Sequence, residues 1–292
     1  MTKILVTGAT GRLGRKTLEF LLDRVPASQI AALARDPQKL NDLAERGVNV
    51  RQGDYLDQAS LERAFAGVER LLFVSTVMFT DVMAQHRNII AAAKIAGVKH
   101  IVYTAIQRRE GSGVTISQVS KMDADTEAAL ADIDAEVTIV RNSMYMDYFP
   151  VVLGPEALRH IRVPSRDTPA AFVTISDLAK ANAVILSSDG HGGRTYTLNS
   201  GVAVSMTGIG QILSGVTGQP VPFNDISVAE FVAERVAGGL PQPYAEFMSE
   251  WFQAIAGGNF AETSDDLAQI LGHPPMTPAE FLPIFYAEIA KA

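Results

Sequence analysis

The segment ILVTGATGRLG, residues 4–14, decides the fold. It begins with three apolar residues that are typical of a short strand, and a glycine-rich stretch follows at once. From residue 15 to residue 25 the leucines and a valine keep helical spacing, while charged side chains take the opposite face. The sequence therefore predicts a strand, a tight turn and an amphipathic helix, in that order.

The glycine-rich turn has the chemistry of a dinucleotide site. The first N–H groups of a helix attract a pyrophosphate, and glycines let the backbone come close to it. The spacing is GxxGxxG rather than GxGxxG, and we associate this form with extended and atypical short-chain dehydrogenases. A purely structural turn is the alternative. The candidate cofactor contacts in the turn are Gly8, Thr10, Gly11, Arg12, Leu13 and Gly14.

Short apolar or β-branched runs recur through the first half of the chain, with helical patterns between them. Parallel strands need such crossovers, so the alternation predicts helices on both faces of a parallel sheet. We therefore predict an α/β fold, a Rossmann-like doubly wound parallel sheet with a smaller, mostly helical C-terminal lobe. The predicted strands are residues 4–6, 30–34, 48–50, 71–74, 101–103 and 137–140.

Proline usage marks the predicted domain boundary. Of the 14 prolines, 12 lie from Pro150 onward, and the pattern becomes irregular there. We predict a dinucleotide-binding domain over residues 1–149, rejoined by residues 170–199. The smaller lobe then comprises residues 150–169 and 200–292, with helices at 205–216, 228–236, 243–256 and 278–290.

The amino-acid composition excludes several classes of function. The chain has 292 residues, 47% of them hydrophobic and 20% charged, as expected of a globular protein. It has no cysteine, which excludes disulfides, thiolate metal sites and a thiol nucleophile, and the scattered histidines predict no metal site. Redox chemistry would therefore need a borrowed cofactor.

Charge and hydropathy bear on location and partners. Residues 1–120 hold 16 Lys and Arg against 11 Asp and Glu, whereas residues 121–292 hold 9 against 21. This balance favours a small anion over a nucleic acid. No apolar run is long enough to span a bilayer, and the N-terminus does not resemble a signal peptide. We expect a cytoplasmic protein with no nucleic-acid or membrane partner.

The end of the second predicted strand selects the coenzyme. An acidic residue there would bind the ribose of NAD, whereas an arginine would pair with the 2′-phosphate of NADP. The residue is Arg35, with Arg12 as a second cation, so we predict NADP(H); a solvated surface Arg35 is the alternative. Asp36 precedes a proline and is expected to cap a helix. Asp54, followed by Tyr55, could meet the adenine or serve only as a turn residue.

A familiar catalytic pair is missing from the chain. Classical short-chain dehydrogenases use Tyr-x-x-x-Lys, in which the lysine lowers the pKa of the tyrosine for proton exchange with the substrate. None of the seven tyrosines is followed by lysine four positions later, and there is no G-x-S-x-G motif. The sequence therefore predicts a reduction that needs little acid catalysis.

Several segments occur together in one order. They are the glycine turn, Arg35, Gly53-Asp54, GVKHIVYT at 97–104, VRNSMY at 140–145, VTISDLAKANAVIL at 173–186 and TSDDL at 263–267. Together they resemble the NmrA-like atypical short-chain dehydrogenases, in particular the type 2 NAD(P)H:quinone oxidoreductases and triphenylmethane reductases. The resemblance extends over nearly the whole chain.

The resemblance implies where the coenzyme and an acceptor would lie. It places Ser75, Thr76 and Val77 beside the nicotinamide and Tyr103 and Thr104 beneath it. Asn142 and Tyr145 would stand at a cleft between the lobes. The acceptor pocket would be lined by soft and flat side chains suited to an aromatic acceptor, each of which could instead be ordinary core: Met78, Phe79, Met144, Tyr145, Met146, Tyr148 and Phe149.

One departure from the family lies before Glu127. The family usually carries a histidine four positions before this residue, but this chain has Asp123 there and Lys121 two positions earlier. Lys121 could stabilise a developing oxyanion, with Thr104 and Tyr145 as further candidates for proton delivery. It could equally pair with Asp125 on a solvated helix face. The departure leaves the substrate's identity open.

These observations predict an NADPH-dependent oxidoreductase. Hydride would pass to a quinone or another conjugated or aromatic small molecule bound between the lobes, with catalysis resting on close positioning. A carbonyl reductase with a non-standard proton donor is one alternative. A non-catalytic NADP(H)-binding redox sensor is the other. A homodimer stays open.

Overall fold

The structure is a computed structural model that describes residues 3–75, 80–154 and 156–289, leaving aside the side chains of residues 118, 288 and 289. The chain divides into two compact units. Unit 1 comprises residues 1–106, 121–142 and 175–197. Unit 2 comprises residues 107–120, 143–174 and 198–292.

The strands of the described residues are short and lie mostly in unit 1. They are β1 (Ile4–Val6), β2 (Ile30–Ala34), β3 (Asn49–Gln52), β4 (Arg70–Phe73), β5 (His100–Ile106), β6 (Glu136–Asn142), β7 (Ile161–Val163), β8 (Thr195–Leu198) and β9 (Phe223–Asp225). A seven-stranded sheet has the order β3-β2-β1-β4-β5-β6-β8. The pairs among β1 to β6 are all parallel, which confirms the predicted Rossmann-like sheet.

Helices connect the strands and make up most of the C-terminal part. They are α1 (Arg12–Leu22), α2 (Asn41–Glu45), α3 (Gln58–Phe65), α4 (Val82–Ala96), α5 (Ser117–Ala131), α6 (Phe149–Val152), α7 (Ile175–Ser187), α8 (Met206–Thr217), α9 (Val228–Ala237), α10 (Gln242–Ala256), α11 (Asp266–Leu271) and α12 (Pro278–Ile289). Within the described ranges, none of them is long and apolar enough to cross a membrane.

Local signals account for where several helices begin and end. The Asp81 carboxylate accepts a hydrogen bond from the Ala84 N–H at 3.0 Å, which caps the start of α4. Gly97 ends the same helix in the left-handed conformation, at φ +67°. Asp36 accepts from the Gln38 N–H at 3.1 Å, which confirms its predicted capping role.

The core of unit 1 lies on the central strands. Leu5, Leu71, Phe73 and Ile101 are fully buried and belong to one apolar cluster with residues of α3 and α4. These strands are continuous apolar runs because helices cover both faces of a parallel sheet. Each such side chain contributes about 1.5–3 kcal/mol through burial. The packing holds the carboxyl ends of the strands in fixed positions.

Unit 2 combines a two-stranded parallel sheet with helices. Ile161 of β7 pairs with Phe223 of β9. Phe231 of α9 packs edge-on against Phe252 of α10, with ring centroids 5.3 Å apart. The observed α8, α9, α10 and α12 confirm the predicted helical character of the C-terminal part, whereas β7, β9 and α11 were not predicted.

The units differ from the predicted boundaries chiefly over residues 107–120 and 143–149, and also over residues 170–174 and 198–199, which lie in unit 2. Long-range pairing explains the two larger differences. Residues 143–149 lie in unit 2, where the Met146 N–H donates to the Val173 carbonyl at 2.9 Å. Residues 107–120 also lie in unit 2, and the Asn259 amide there donates to the Val114 carbonyl at 2.8 Å. Neither contact leaves a signal in the local sequence.

Candidate cofactor and active site

The glycine turn is closed tightly against the start of α1. Gly8 has φ +61°, a conformation that favours glycine. The Gly11 N–H donates to the Gly8 carbonyl at 2.9 Å. A Cβ placed on Gly14 would lie 2.4 Å from that same carbonyl oxygen, so a side chain cannot fit there. The turn therefore requires glycine for close approach as well as for conformation.

The start of α1 is suited to a pyrophosphate. Among the described residues, no side chain hydrogen-bonds the helix start at its N-cap, Gly11. The first-turn N–H groups of Leu13 and Gly14 have no acceptor within a helix, and their dipoles favour negative charge. Thr10, Gly11 and Arg12 are exposed beside them. These residues fit the phosphates of a dinucleotide.

Tyr55 hydrogen-bonds the backbone of the glycine turn. Its hydroxyl oxygen accepts a hydrogen bond from the Gly8 N–H at 2.7 Å, and its carbonyl accepts from the Asn88 amide at 2.9 Å. Burial raises the pKa of the Tyr55 phenol, which keeps it neutral. The structure thus places Tyr55 against the backbone of the turn, where it would act on a coenzyme indirectly.

The predicted coenzyme-selecting residues lie at the ends of β2 and β3. Arg35 directly follows β2 and is exposed, and its carbonyl accepts from the Gln52 amide at 3.2 Å. Asp54 follows β3, and its carboxylate accepts from the Leu56 N–H at 2.9 Å, an arrangement that matches the turn role. Arg35 is therefore accessible at the end of β2, and its contact with a 2′-phosphate stays a prediction. One carboxylate oxygen of Asp54 already accepts a backbone hydrogen bond.

The ends of β4 and β5 are joined by a direct contact. The Ser75 N–H donates to the Thr104 hydroxyl oxygen at 2.9 Å, and Thr104 is buried. Thr76 and Val77, and the predicted pocket residues Met78 and Phe79, lie outside the described residues. Ser75 and Thr104 are thus brought together at the carboxyl edge of the sheet.

Tyr103 lies in the core of unit 1 and is not exposed at the candidate site. It is fully buried and packs against Phe73, with ring centroids 5.0 Å apart. Its hydroxyl donates to the Asp123 carboxylate at 2.7 Å. Burial and the neighbouring Asp123 charge raise the pKa of the Tyr103 phenol far above its usual range. Its phenol is therefore not a ready proton donor.

Lys121 lies on the exposed side of α5. Its side chain is 77% exposed, and its ammonium pairs with the Asp125 carboxylate one helical turn on. This is the arrangement of the second interpretation, a solvated helix face, and such pairs contribute a few tenths of a kcal/mol. A catalytic role for Lys121 stays a prediction.

The candidate acceptor residues of unit 2 divide into exposed and buried groups. Tyr145 is half-buried and stacks against the exposed Tyr148, with centroids 6.0 Å apart and planes at 21°. Met144, Met146 and Phe149 are buried. The tyrosine pair offers flat aromatic surface, whereas the other three also fit the alternative of ordinary core. Asn142, at the end of β6 in unit 1, is buried too.

Two cavities in the described chain lie away from these residues. One, of about 330 Å³ in unit 2, is lined in part by Val114, Arg166 and Asp225. The other, of about 660 Å³ in unit 1, is lined in part by Arg70 and His100, at the amino ends of β4 and β5. Neither cavity is lined by a predicted site residue.

Asp123 is a buried acidic residue that was not among the predicted site residues. It is 1% exposed, and its two carboxylate oxygens accept from the Tyr103 hydroxyl and from the Ile106 N–H, each at 2.7 Å. The available signal was helical spacing, because Asp123, Thr126 and Leu130 share one face of α5. An acid on a helix face directed to the core is expected to have a partner.

Comparison with known proteins gives matches along nearly the whole chain. The model of the NmrA-like family matches residues 1–282. Quinone oxidoreductase 2 of Escherichia coli strain K12 is 37% identical over 279 residues, covering 95% of this chain and 96% of that protein. These matches agree with the resemblance found in the sequence.

Two solved structures are similar in fold and sequence. The NADPH-dependent quinone oxidoreductase of Escherichia coli, complexed with NADPH, has a TM-score of 0.91 at 35% identity, covering 97% of this chain and 99% of that chain. The Citrobacter sp. triphenylmethane reductase, complexed with NADP(H), has a TM-score of 0.89 at 36% identity, covering 95% and 98%. By its sequence match, its parallel sheet and its glycine turn, this chain belongs to the NmrA-like family.

Proposed function

We propose that this protein is an NADPH-dependent oxidoreductase that reduces quinones or similarly conjugated small molecules. The observation that carries the proposal is the glycine turn, where a Cβ on Gly14 would lie 2.4 Å from the Gly8 carbonyl oxygen beside an uncapped helix start. This cradle fits a pyrophosphate. The sequence similarity to an NADPH-dependent quinone oxidoreductase and a triphenylmethane reductase supports the same function.

The residues of unit 1 have separate binding tasks. The α1 start would hold the pyrophosphate, and Arg35 would pair with the 2′-phosphate that distinguishes NADPH from NADH. Ser75 and Thr104 would border the nicotinamide half, because ligands bind at the carboxyl ends of the strands in such sheets. When bound, NADPH supplies the hydride. The protein supplies orientation and excludes water.

The site's acid chemistry favours acceptors that need little protonation. The chain has no Tyr-x-x-x-Lys pair, the Tyr103 hydroxyl is bonded to Asp123, and Lys121 pairs with Asp125 in solvent. A quinone or a cationic dye delocalises the charge that arrives with the hydride, so water can complete protonation. Close positioning of donor and acceptor then provides most of the rate enhancement.

The test is NADPH oxidation with a panel of acceptors, preceded by calorimetry with NADPH and NADH. We expect tighter binding of NADPH and turnover with quinones, dyes or enones. Turnover with ketones or aldehydes alone would replace the proposal with the carbonyl reductase. Binding without any turnover would replace it with the redox sensor. Absence of NADPH binding would overturn the whole interpretation.

The proposal also covers the cellular location and the oligomeric state of the protein. We place the enzyme in the cytoplasm, and we keep the homodimer as a prediction. Light scattering on the purified protein tests the homodimer, since a mass near 31.3 kDa would mean a monomer. The acceptor would be a small molecule, with no nucleic-acid partner.

A further inference from the structure

Arg235 of α9 caps the end of α6, and both helices lie in unit 2. Its Nη2 donates a hydrogen bond to the Leu153 carbonyl at 2.8 Å and a longer one to the Val152 carbonyl at 3.4 Å. The last carbonyls of a helix have no donor within the helix. Because α6 is only 4 residues long, a contact from outside is needed to hold its end.

Two further contacts fix the guanidinium of Arg235. It lies over the Phe231 ring, 4.7 Å from the ring centroid, in a cation–π arrangement. Gly154 follows the end of α6 at φ +88°, and a Cβ at this position would collide with the Nη1 atom of Arg235. A side chain at position 154 would therefore push the guanidinium away from α6.

Arg235 is a half-buried cation that forms no ion pair with a carboxylate in the described chain. The adjacent Glu234 pairs with Arg162 instead, at 2.7 Å. Burial lowers the pKa of the Arg235 guanidinium, and its Nε is buried without a hydrogen-bond partner. Burying a charge costs free energy, and an apolar side chain of similar length would fill the same space at lower cost. What the guanidinium provides here is a fixed end for α6.

The segment that Arg235 caps carries the tyrosine pair of the candidate acceptor site. A helical turn at Met146–Tyr148 runs directly into α6. Phe149, the first residue of α6, is buried and anchors the start of the helix. Tyr148 is exposed and stacks on Tyr145. A displacement at the end of α6 would reach Tyr148, which lies about one helical turn earlier.

The tyrosine pair forms an extended surface rather than a closed stack. Its ring planes meet at 21°, and its centroids are 6.0 Å apart. This separation exceeds the contact distance of about 3.5–4.0 Å between carbon atoms, so the nearly parallel rings are offset. A quinone of several fused rings can therefore contact more of this surface than a quinone with a single ring.

We propose that Arg235 is a positioning residue that, by capping α6, keeps Tyr148 stacked on Tyr145 as a surface for extended planar acceptors. This inference rests on the proposed function and on the predicted acceptor role of the tyrosine pair. It adds a residue that does not touch the acceptor. It also adds a preference within the acceptor class, for fused-ring over single-ring quinones.

Arg235→Met removes the cap and keeps most of the side-chain volume. With phenanthrenequinone, which has three fused rings, we expect KM to rise about three- to tenfold, the loss of one aromatic stacking contact. The value of kcat should not change, because the lost contact binds the ground state and the transition state alike. With benzoquinone, which has a single ring, KM should stay within about twofold. Calorimetry should show unchanged NADPH affinity.

Three further variants separate positioning from general stability. Arg162→Met is the matched control, since Arg162 also contacts α9, but through the Glu234 carboxylate at the surface; neither KM should change. Arg235→Lys should recover part of the loss, because an ammonium still donates to carbonyls but cannot lie flat on Phe231. Gly154→Ala should reproduce the selective rise in KM, because its Cβ displaces the guanidinium.

The pattern of KM changes decides between the two roles. A rise for phenanthrenequinone alone, in both Arg235→Met and Gly154→Ala, supports the proposal. Equal rises for both quinones, or a rise that Arg162→Met shares, would mean a general structural role and would overturn it. If Arg235→Met does not fold, Gly154→Ala decides alone, because an unselective or absent change contradicts the proposal. A wild-type protein that reduces no quinone would instead overturn the proposed function.

Discussion

Gly14→Ala is the sharpest test of the cofactor site, because the structure gives the size of the clash. The new Cβ would lie 2.4 Å from the Gly8 carbonyl oxygen, 2.8 Å from its carbon and 3.0 Å from the Thr7 carbonyl oxygen. All of these are backbone atoms that cannot rotate away. The helix start must move about 1 Å to restore ordinary contact at 3.4 Å.

Two opposing terms set the expected stability. Overpacking of this kind costs about 1–3 kcal/mol, whereas replacing a helical glycine by alanine gains about 1 kcal/mol. We therefore expect the free energy of unfolding to fall by up to about 2 kcal/mol, which lowers Tm by up to about 4 °C in a chain of this size. Displacing the helix start also removes at least one charge-assisted hydrogen bond to the pyrophosphate. NADPH affinity should fall about ten- to a hundredfold.

Thermal unfolding and calorimetry with NADPH measure both effects. Gly215→Ala is the matched control, since Gly215 lies in α8 and, in the described part of the chain, nothing outside its own stretch of helix lies within 4 Å of where its Cβ would be. The control should unfold at the same or a slightly higher temperature and should bind NADPH normally. If Gly14→Ala binds NADPH as tightly as the wild type and unfolds at the same temperature, close approach is not the reason for this glycine.

Other substitutions test other parts of the molecule. Arg35→Ala should weaken NADPH binding about ten- to a hundredfold and leave NADH binding unchanged; calorimetry that finds equal losses would contradict a contact with the 2′-phosphate. Lys121→Ala should leave quinone turnover within twofold, because its ammonium pairs with Asp125 in solvent; a loss of ketone turnover by orders of magnitude would restore its catalytic role. Burial lowers the pKa of His86 from 6.5 to about 4, so the unfolded state takes up the proton first, and stability should fall by up to about 3 kcal/mol as pH drops from about 6.5 to 4. His86→Phe should flatten this part of the profile in urea unfolding, and an unchanged slope would contradict the assignment.

Helix α5 illustrates how far sequence patterns reach. Its existence follows from the alternation of strands and helices, but its rotation about its own axis does not. Lys121 and Asp123 are two residues apart and hence about 200° apart around the helix. One lies in solvent and the other in the core. The apolar pattern of α5 is too weak to predict which face is buried. The sequence therefore suggested Lys121 as a candidate site residue, whereas the structure shows that Asp123 is the buried one of the two.

The sequence by itself determined the local elements of this protein. The strand, turn and helix of residues 4–22, the cap at Asp36 and the parallel sheet all depend on neighbouring residues or simple periodicity, and the structure confirms them. Only the tertiary structure decided which distant groups meet. Tyr55 reaches the Gly8 N–H across 47 positions, and Tyr103 reaches Asp123 across 20. Such contacts depend on how whole helices and strands pack and rotate against one another. The packing is set by the total free energy of the folded chain, to which many residues contribute at once, so no local stretch of sequence reveals it.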